Sequence, residues 1–433
     1  MDIFPKPKLS YFYRLYYIAQ LKRHQWLDEK DLTEIQNRKL RKLINHAYHH
    51  VPFYHDLFDS SGLRPSDVSC VKDLQKIPIL TKEDVRKNYP NKLVANGIDI
   101  AKCHVSSTTG SSGVPIKVGF SDRGHDFLYA LALYIWFELG LRLKDKFVTI
   151  QHRNYQTDNN ILFKKLGIFN WENISIFTPV EDILKGLINS KPDVIYSYPS
   201  MLLLLSQEIE KKNAGIKPRL IVTSGETLTE HSRHKISNAF NSEIRMWHGA
   251  EEFGGMAFEC RNHSGYHWIN DTAIIELVKN DRNVEDGEDG EMVVTGLTNY
   301  ITPLIRYKLG DIGTHTSERC SCGRGLPLIK SIEGRTDDFL ILPSGKKISP
   351  RMINVIEDIP GVSMYKTVQE AKDRIIVNLV KGKGFNQETI SQIKKHIKKG
   401  CLGEDVQVDV KLVDSMPLDG RGKLRAIISN VKE

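Results

Sequence analysis

The 433-residue chain has no run approaching the roughly 18 consecutive apolar residues of a membrane-spanning helix, which argues against a helical span. Its most apolar early stretch, Ser10 to Gln20, is interrupted by Arg14 and lacks the make-up of a signal peptide, so a cytoplasmic protein is the expectation. Six cysteines spread over this length do not suggest a disulfide framework. The balance of 61 Lys and Arg against 53 Asp and Glu gives a formal charge of +8, yet no long basic block exists beyond Lys394–Lys399. That dispersal speaks against nucleic acid as a partner; the cluster reads as a solvated helix face, with a phosphate contact as the alternative. Internal repeats and low-complexity segments are absent. So is the G-x-x-x-x-G-K-[ST] pattern, which removes the ordinary nucleotide-hydrolase reading.

What is present instead is Ser106 to Val118, SSTTGSSGVPIKV. Small side chains let backbone N–H groups approach a polyanion, and hydroxyls add donors for phosphate oxygens. The segment therefore reads as a nucleotide-phosphate clamp, with Thr108, Thr109, Gly110, Ser111, Ser112 and Gly113 as the candidate contacts. Taken alone, it could equally be a flexible polar turn.

Length allows two or three domains. Residues 1–95 read as a helical leading subdomain: Leu32, Ile35, Leu40, Leu43, Ile44 and Ala47 fall at helical spacing, Val51-Pro52 breaks the pattern, and Thr81 three residues before Asp84 suits an N-cap. The aromatic stretch Ser10–Gln20 is expected to pack on the core, with a partner or membrane surface as the other reading. Residues 96–336 alternate β-branched runs with helices, among them strands at 116–120, 147–150, 193–198, 220–223 and 291–297. Such alternation predicts an α/β body with ligands at the carboxyl ends of its strands, where the Ser224-Gly225-Glu226 and His248–Glu252 turns are expected. Residues 337–433 read as a compact α+β unit of two helices on a three-stranded sheet.

Four further segments follow the Ser/Thr/Gly loop in order: His248-Gly249-Ala250-Glu251-Glu252, Pro303–Asp311, Gly334–Asp338 and Gly420-Arg421-Gly422-Lys423. With Cys320-Ser321-Cys322-Gly323-Arg324, this series resembles the adenylate-forming superfamily, most closely the phenylacetate–CoA ligase family and its capsular polysaccharide biosynthesis branch. The resemblance extends from about Gln36 to Arg425. It implies a large multi-subdomain N-terminal domain and a small C-terminal domain on a hinge near Asp337. It also implies ATP-dependent activation of a carboxylic acid through an acyl-adenylate, with Mg2+ as cofactor and CoA, an amine or a sugar hydroxyl as acceptor. Adenylylation of a hydroxyl-bearing cofactor and a non-catalytic nucleotide-binding accessory protein are the alternatives. A homodimer remains compatible with all three.

By that resemblance Glu252 holds Mg2+, a hard cation that prefers carboxylate oxygen. Asp311 accepts from the ribose hydroxyls, Arg335 contacts the nucleotide, and Lys423 swings in to neutralise charge during adenylation. Gly225, Glu226, His248 and Gly249 complete the expected nucleotide site. Each of these has a plainer reading: a surface carboxylate, a turn, an exposed lysine. Two positions depart from the family pattern. His248 replaces the usual Tyr, and Glu251 replaces the usual Thr or Ser, placing a carboxylate where it would repel the α-phosphate unless a cation or substrate amine offsets it. Arg306 is either a direct participant or a structural ion pair. Tyr196, Tyr198, Pro199 and Trp247 are candidates for the acyl pocket, or simply core.

Cys320 and Cys322 look like half of a metal site, completed by Cys260 with His267 or His263 into a Cys3His set suited to Zn2+. Some members of the resembled family carry structural zinc near this position. Free thiols in a loop are the alternative.

Overall fold

The computed structural model of the chain describes residues 8–108, 115–152, 167–168, 170–336, 339–348, 354–420 and 422–431. Its helices are α1 (Lys8–His24), α2 (Glu29–His50), α3 (Pro52–Ser60), α4 (Lys82–Asn88), α5 (Asp122–Glu138), α6 (Val180–Ser190), α7 (Pro199–Lys212), α8 (Glu230–Phe240) and α9 (Gln387–Gly400). The first strands are β1 (His104–Ser107), β2 (Lys117–Phe120), β3 (Lys146–Gln151), β4 (Asn170–Ser175), β5 (Val194–Ser197), β6 (Leu220–Thr223), β7 (Glu243–Ala250), β8 (Gly254–Glu259) and β9 (Tyr266–Trp268). Then come β10 (Ala273–Lys279), β11 (Arg282–Asn283), β12 (Asp289–Gly296), β13 (Tyr307–His315), β14 (Leu328–Arg335), β15 (Leu340–Ile341), β16 (Lys347–Ile348), β17 (Val362–Ala371), β18 (Arg374–Lys381), β19 (Gln407–Leu412) and β20 (Ile427–Ser429). The chain packs as two compact units, one of residues 1–142 and 245–332, the other of 143–244 and 333–433.

The first unit is built on an antiparallel sheet. Its ladder runs β11-β10-β12-β13-β14-β9-β8-β7, with the β1–β2 hairpin apart from it. The leading helices form as their spacing predicts: α2 buries Leu32, Leu40, Leu43, Ile44 and Ala47 on one face, and Thr81 caps α4 through a reciprocal pair with Asp84. Each fully buried Leu or Ile on that face contributes about 1.5–3 kcal/mol. Arg306 fastens this helical segment to the sheet. It is buried, sits at φ +49, pairs with Glu276 at 3.0 Å and donates to the Ile77 carbonyl at 2.5 Å, which makes it a structural ion pair.

In the second unit β6-β5-β3-β4 are parallel neighbours, and β5 and β6 are buried along their whole length, as strands covered on both faces must be. The C-terminal part carries a sheet in the order β19-β18-β17-β20 with α9 against it. Three strands were expected and four are found. The additional one, β20, pairs in parallel with β17 through Thr367 and Ile427, and its three residues are too few for alternation to be visible in sequence. The helix expected over 351–359 is a 3-10 turn at Asn354–Asp358, with 351–353 outside the described residues. Lys394, Lys395, Lys398 and Lys399 are exposed on α9, the solvated-face reading of the basic cluster.

Candidate active site

In the antiparallel unit, the sequence segment expected as one turn is divided. His248, Gly249 and Ala250 are the last residues of β7, and only Glu251 and Glu252 turn the chain toward β8. Gly249 is required by close approach: a Cβ there would lie 2.5 Å from the Gly254 carbonyl oxygen and 2.8 Å from the Trp247 ring. The Glu252 side chain is buried, and its Oε1 accepts a 2.9 Å hydrogen bond from the hydroxyl of Tyr307, itself fully buried on β13. Asp311 lies four residues further along the same strand, past an irregularity in its pairing with β12. It is also buried, with His248 Nε2 3.2 Å from its Oδ2. Beside Glu252 lies a shallow recess whose walls include Phe120, Phe253, Thr298 and Asn299.

Glu251 is exposed and accepts from the Ser106 hydroxyl at 3.0 Å. Ser106 belongs to β1, at the base of the Ser/Thr/Gly loop. Thr108 closes the loop's neck. Its N–H donates to the Ile116 carbonyl at 2.9 Å, and its hydroxyl oxygen accepts from the Ile116 N–H at 3.1 Å. The candidate contacts Thr109, Gly110, Ser111, Ser112 and Gly113 lie outside the described residues. The unit thus sets Glu251 against the base of the hydroxyl-rich segment, with Glu252 next to it in the chain and His248 paired with Asp311. Glu252 in particular is a hard, buried oxygen donor of the kind Mg2+ takes.

In the parallel unit, the Ser224-Gly225-Glu226 turn follows β6 at its carboxyl end, where the sequence places a ligand site. Lys423, 198 residues further on, is lodged against it. Its Nζ donates to the Gly225 carbonyl at 3.0 Å and stands 4.9 Å from the Tyr198 ring centroid. Gly225 is at φ +78, where residues with a side chain are strained, and a Cβ there would press on that Nζ at 2.8 Å. The next residue makes a second contact: the Leu424 N–H donates to Glu226 Oε1 at 2.9 Å. Asp419 tightens the turn that delivers Lys423, accepting from its N–H at 2.9 Å.

Glu226, expected among the nucleotide contacts, directs both oxygens to protein donors. Ser200 supplies its N–H and its hydroxyl, each at 2.9 Å, and Leu424 the third donor. Burial pushes its carboxyl up to about 7, against the opposing pull of those hydrogen bonds and of Lys423. The sign follows. Raised from 4.5 in the unfolded chain, this group contributes stability that is fully present below pH 4.5 and is lost as the pH rises through about 7. Glu226→Gln should therefore flatten the fall of the unfolding midpoint across that window. An unchanged slope in thermal melts at stepped pH would assign the fall to other groups.

Of the remaining candidates in this unit, Arg335 ends β14 half-buried, and Asp337 is outside the described residues. Tyr196 is buried with its hydroxyl 2.5 Å from Ser224 Oγ, which holds it in the floor of the turn.

Back in the antiparallel unit, Cys260, His267, Cys320 and Cys322 converge, their donor atoms all within 4.8 Å of one another. Cys260 and Cys320 sulfurs are 3.6 Å apart, and Cys322 Sγ is 3.3 Å from His267 Nε2. A tetrahedral Zn2+ with bonds of about 2.3 Å sets its sulfurs about 3.8 Å apart, so the spacing fits. Burial raises the Cys260 thiol to about 12 and lowers His267 to about 4, aided by the charge of Arg324. A neutral imidazole and buried thiols that need a cation to ionise are the donor set zinc uses. Burial opposes ionisation of Cys322 too, but hydrogen bonds from Arg324 outweigh it and leave that thiol lower than usual. His263 turns away, its Nδ1 3.4 Å from Glu259.

The CapK C-terminal domain family matches residues 340–430. Over nearly the full chain, the phenylacetate–coenzyme A ligase of Thermus thermophilus is 26% identical, covering 93% of this chain and 97% of that protein. Protein CapK of Staphylococcus aureus is also 26% identical, covering 97% and 94%. Along nearly its whole length the chain is thus similar to phenylacetate–coenzyme A ligases and to CapK. A solved 2-hydroxyisobutyryl-CoA ligase, captured after adenylation with its acyl-AMP, shares the adenylate-forming fold at a TM-score of 0.78 and 19% identity, covering 94% of this chain and 92% of its own.

Within this adenylate-forming fold, sequence reasoning missed four residues. Tyr307 lies inside the Pro303–Asp311 motif, and its pairing with Glu252 was hidden because the two are 55 residues apart. Ser106 begins the hydroxyl-rich loop and is used at its base. Ser200 and Leu424 carried no signal, since Glu226 reads their backbone N–H groups as much as any side chain.

Proposed function

We propose that this chain uses ATP to convert a small carboxylic acid to an enzyme-bound acyl-adenylate, and then passes the acyl group to a nucleophile. The observation that carries this reading is Lys423, seated on the Gly225 carbonyl at the carboxyl end of β6. In the first step a carboxylate oxygen attacks the α-phosphorus, a new P–O bond forms, and the bond to pyrophosphate breaks. Negative charge grows on the phosphate oxygens, so an ammonium there favours the transition state over the ground state. Glu252 would hold Mg2+, which supplies charge neutralisation at the phosphates. Asp311 would accept from the ribose hydroxyls and Arg335 would face the nucleotide, while the hydroxyls from Thr108 to Gly113 would grip the outer phosphates. In the second step a thiol, amine or hydroxyl takes the acyl group and AMP departs.

CoA is the acceptor suggested by the ligase relatives, and a sugar amine or hydroxyl in surface polysaccharide assembly by the CapK relative. The division of labour would follow residues 1–95, 96–336 and 337–433, with the last segment turning about Asp337 between the two steps. Cytoplasmic residence suits an ATP-consuming chain with six free cysteines.

Labelled pyrophosphate should exchange into ATP only when an acid from one class (aryl, short-chain or amino) is supplied. A second reading, a nucleotide-binding accessory protein, draws on the His248 imidazole beside Asp311. ATP binding with no exchange for any acid would favour it. Glu251 tests the substrate class. Its exposed carboxylate near the phosphate loop calls for a cation or a substrate amine, so Glu251→Thr should tighten ATP binding and shift exchange from amine-bearing acids toward plain aryl or alkyl acids, by about 10-fold. No change in either quantity would make Glu251 a bystander.

A further inference from the structure

Helix α1 is not sorted by polarity: Leu21 is buried on its inward side and Tyr17 packs on Phe127, but a charge is buried there too and large apolar side chains lie outside. Its inward side buries Arg14, which pairs with Asp126 at 2.8 Å and lies 4.3 Å over the Tyr129 ring. Its outward side shows Tyr11, Phe12, Leu15 and Tyr16, which are 39, 66, 68 and 55% exposed, and Trp26 at 55% follows in the next turn. Phe12, Tyr16, Ala19 and Arg23 recur at three- and four-residue spacing on the helix, so they form one stripe rather than scattered exposures, and Trp26 lies just past its end beside Arg324. A helix at home in water places such residues inward and its arginine outward. The core expectation for this segment therefore holds for one face only.

The charge on the helix is one-sided as well. KLSYFYRLYYIAQLKRH contains no Asp or Glu, and Lys22 and Arg23 are exposed along the aromatic stripe. We propose that α1 seats this chain on an anionic lipid surface. Phe12 and Leu15 enter the acyl boundary, Tyr11 and Tyr16 sit at headgroup depth, and Lys22 and Arg23 meet lipid phosphates. Among the described residues no helix is long and apolar enough to cross a membrane, so α1 lies in the interface plane. Tyrosine suits that depth because its ring is apolar and its hydroxyl is not. A second copy fits less well. A two-fold pairing through this face would cover Lys22 and Arg23 with a partner helix that offers no carboxylate to answer them. The formal charge of +8 adds a long-range pull toward the same surface.

The test is flotation of the full chain with vesicles of phosphatidylglycerol and phosphatidylcholine, against phosphatidylcholine alone. The chain should float with the anionic vesicles, and raised salt should weaken it. Lys22→Gln with Arg23→Gln should reduce binding by about 30-fold, and Phe12→Ser with Leu15→Gln by at least about 10-fold. Unfolding midpoints of both variants should match the parent, which separates lost docking from lost fold. No flotation at low salt, equal flotation with neutral vesicles, or binding indifferent to both variants would overturn the proposal. So would light scattering that shows a dimer dissolved by the Phe12 and Leu15 substitutions.

Discussion

Lys423→Ala should slow adenylate formation by about 10²- to 10³-fold, the loss expected when one preorganised charge-stabilising donor is removed. Acyl transfer from a preformed adenylate should change far less. The asymmetry follows from what Lys423 is held to do: its Nζ rests on the Gly225 carbonyl, beside the end of β6, and in that seat it can act only on charge developing nearby. Measuring the two half-reactions separately, pyrophosphate exchange for the first and thioester or amide formation from synthetic adenylate for the second, gives the split. Equal losses in both, with an unchanged unfolding midpoint, would mean that Lys423 serves the whole cycle or only the fold.

The second large effect concerns the sulfur cluster. Protein purified without added metal should carry about one equivalent of zinc, since three thiols and an imidazole are already gathered at ligand spacing. Cys320→Ser should lose the metal and lower the unfolding midpoint by about 10 °C, the shift expected for roughly 3 kcal/mol in a unit of this size. Chelation of the unmodified chain should produce the same drop, which guards against a variant that merely folds poorly. A metal-free protein with an unchanged midpoint would leave four free side chains packed without purpose. Arg324 makes the cluster more than a clip. It hydrogen-bonds to Cys322 while reaching Glu138 on α5 at 2.5 Å and Gln25 at 2.7 Å, so the metal loop is wired into the leading helices.

Much of this was legible in the chain itself because the relevant signals are local. Leu220–Thr223 reads as a strand and is one, to the residue. Thr81 and Asp84 announce a cap that forms as written. Cys320 and Cys322 imply their partners through the small set of residues that bind soft metals. What escaped was non-local or set by backbone. β20 is too short to show a period and exists because Thr367 offers it an edge. The pairing of Tyr307 with Glu252, and of His248 with Asp311, depends on which strands become neighbours, and no motif spacing encodes that. Arg306 left two readings open, a direct role or a structural ion pair, and only the fold brings Glu276 against it within the sheet. The sequence offered both core packing and an outside surface for α1 but could not divide its faces between them. Aromatic content predicts burial on average, but it does not say in what.

The clasp at the end of β6 constrains drift in an uneven way. Glu226 reads the N–H of Leu424, and Lys423 reads the carbonyl of Gly225, so each contact joins one specified side chain to one anonymous stretch of backbone. Position 424 can accept many side chains without disturbing its half of the contact, whereas position 226 must keep an acceptor of the right length. Position 225 favours glycine for its backbone, at φ +78, and a methyl group there would push the ammonium off its seat. Descendants of this chain should thus tolerate change at 424 but not at 225, 226 or 423, and a loop shortened by a single residue would present the wrong backbone to both contacts.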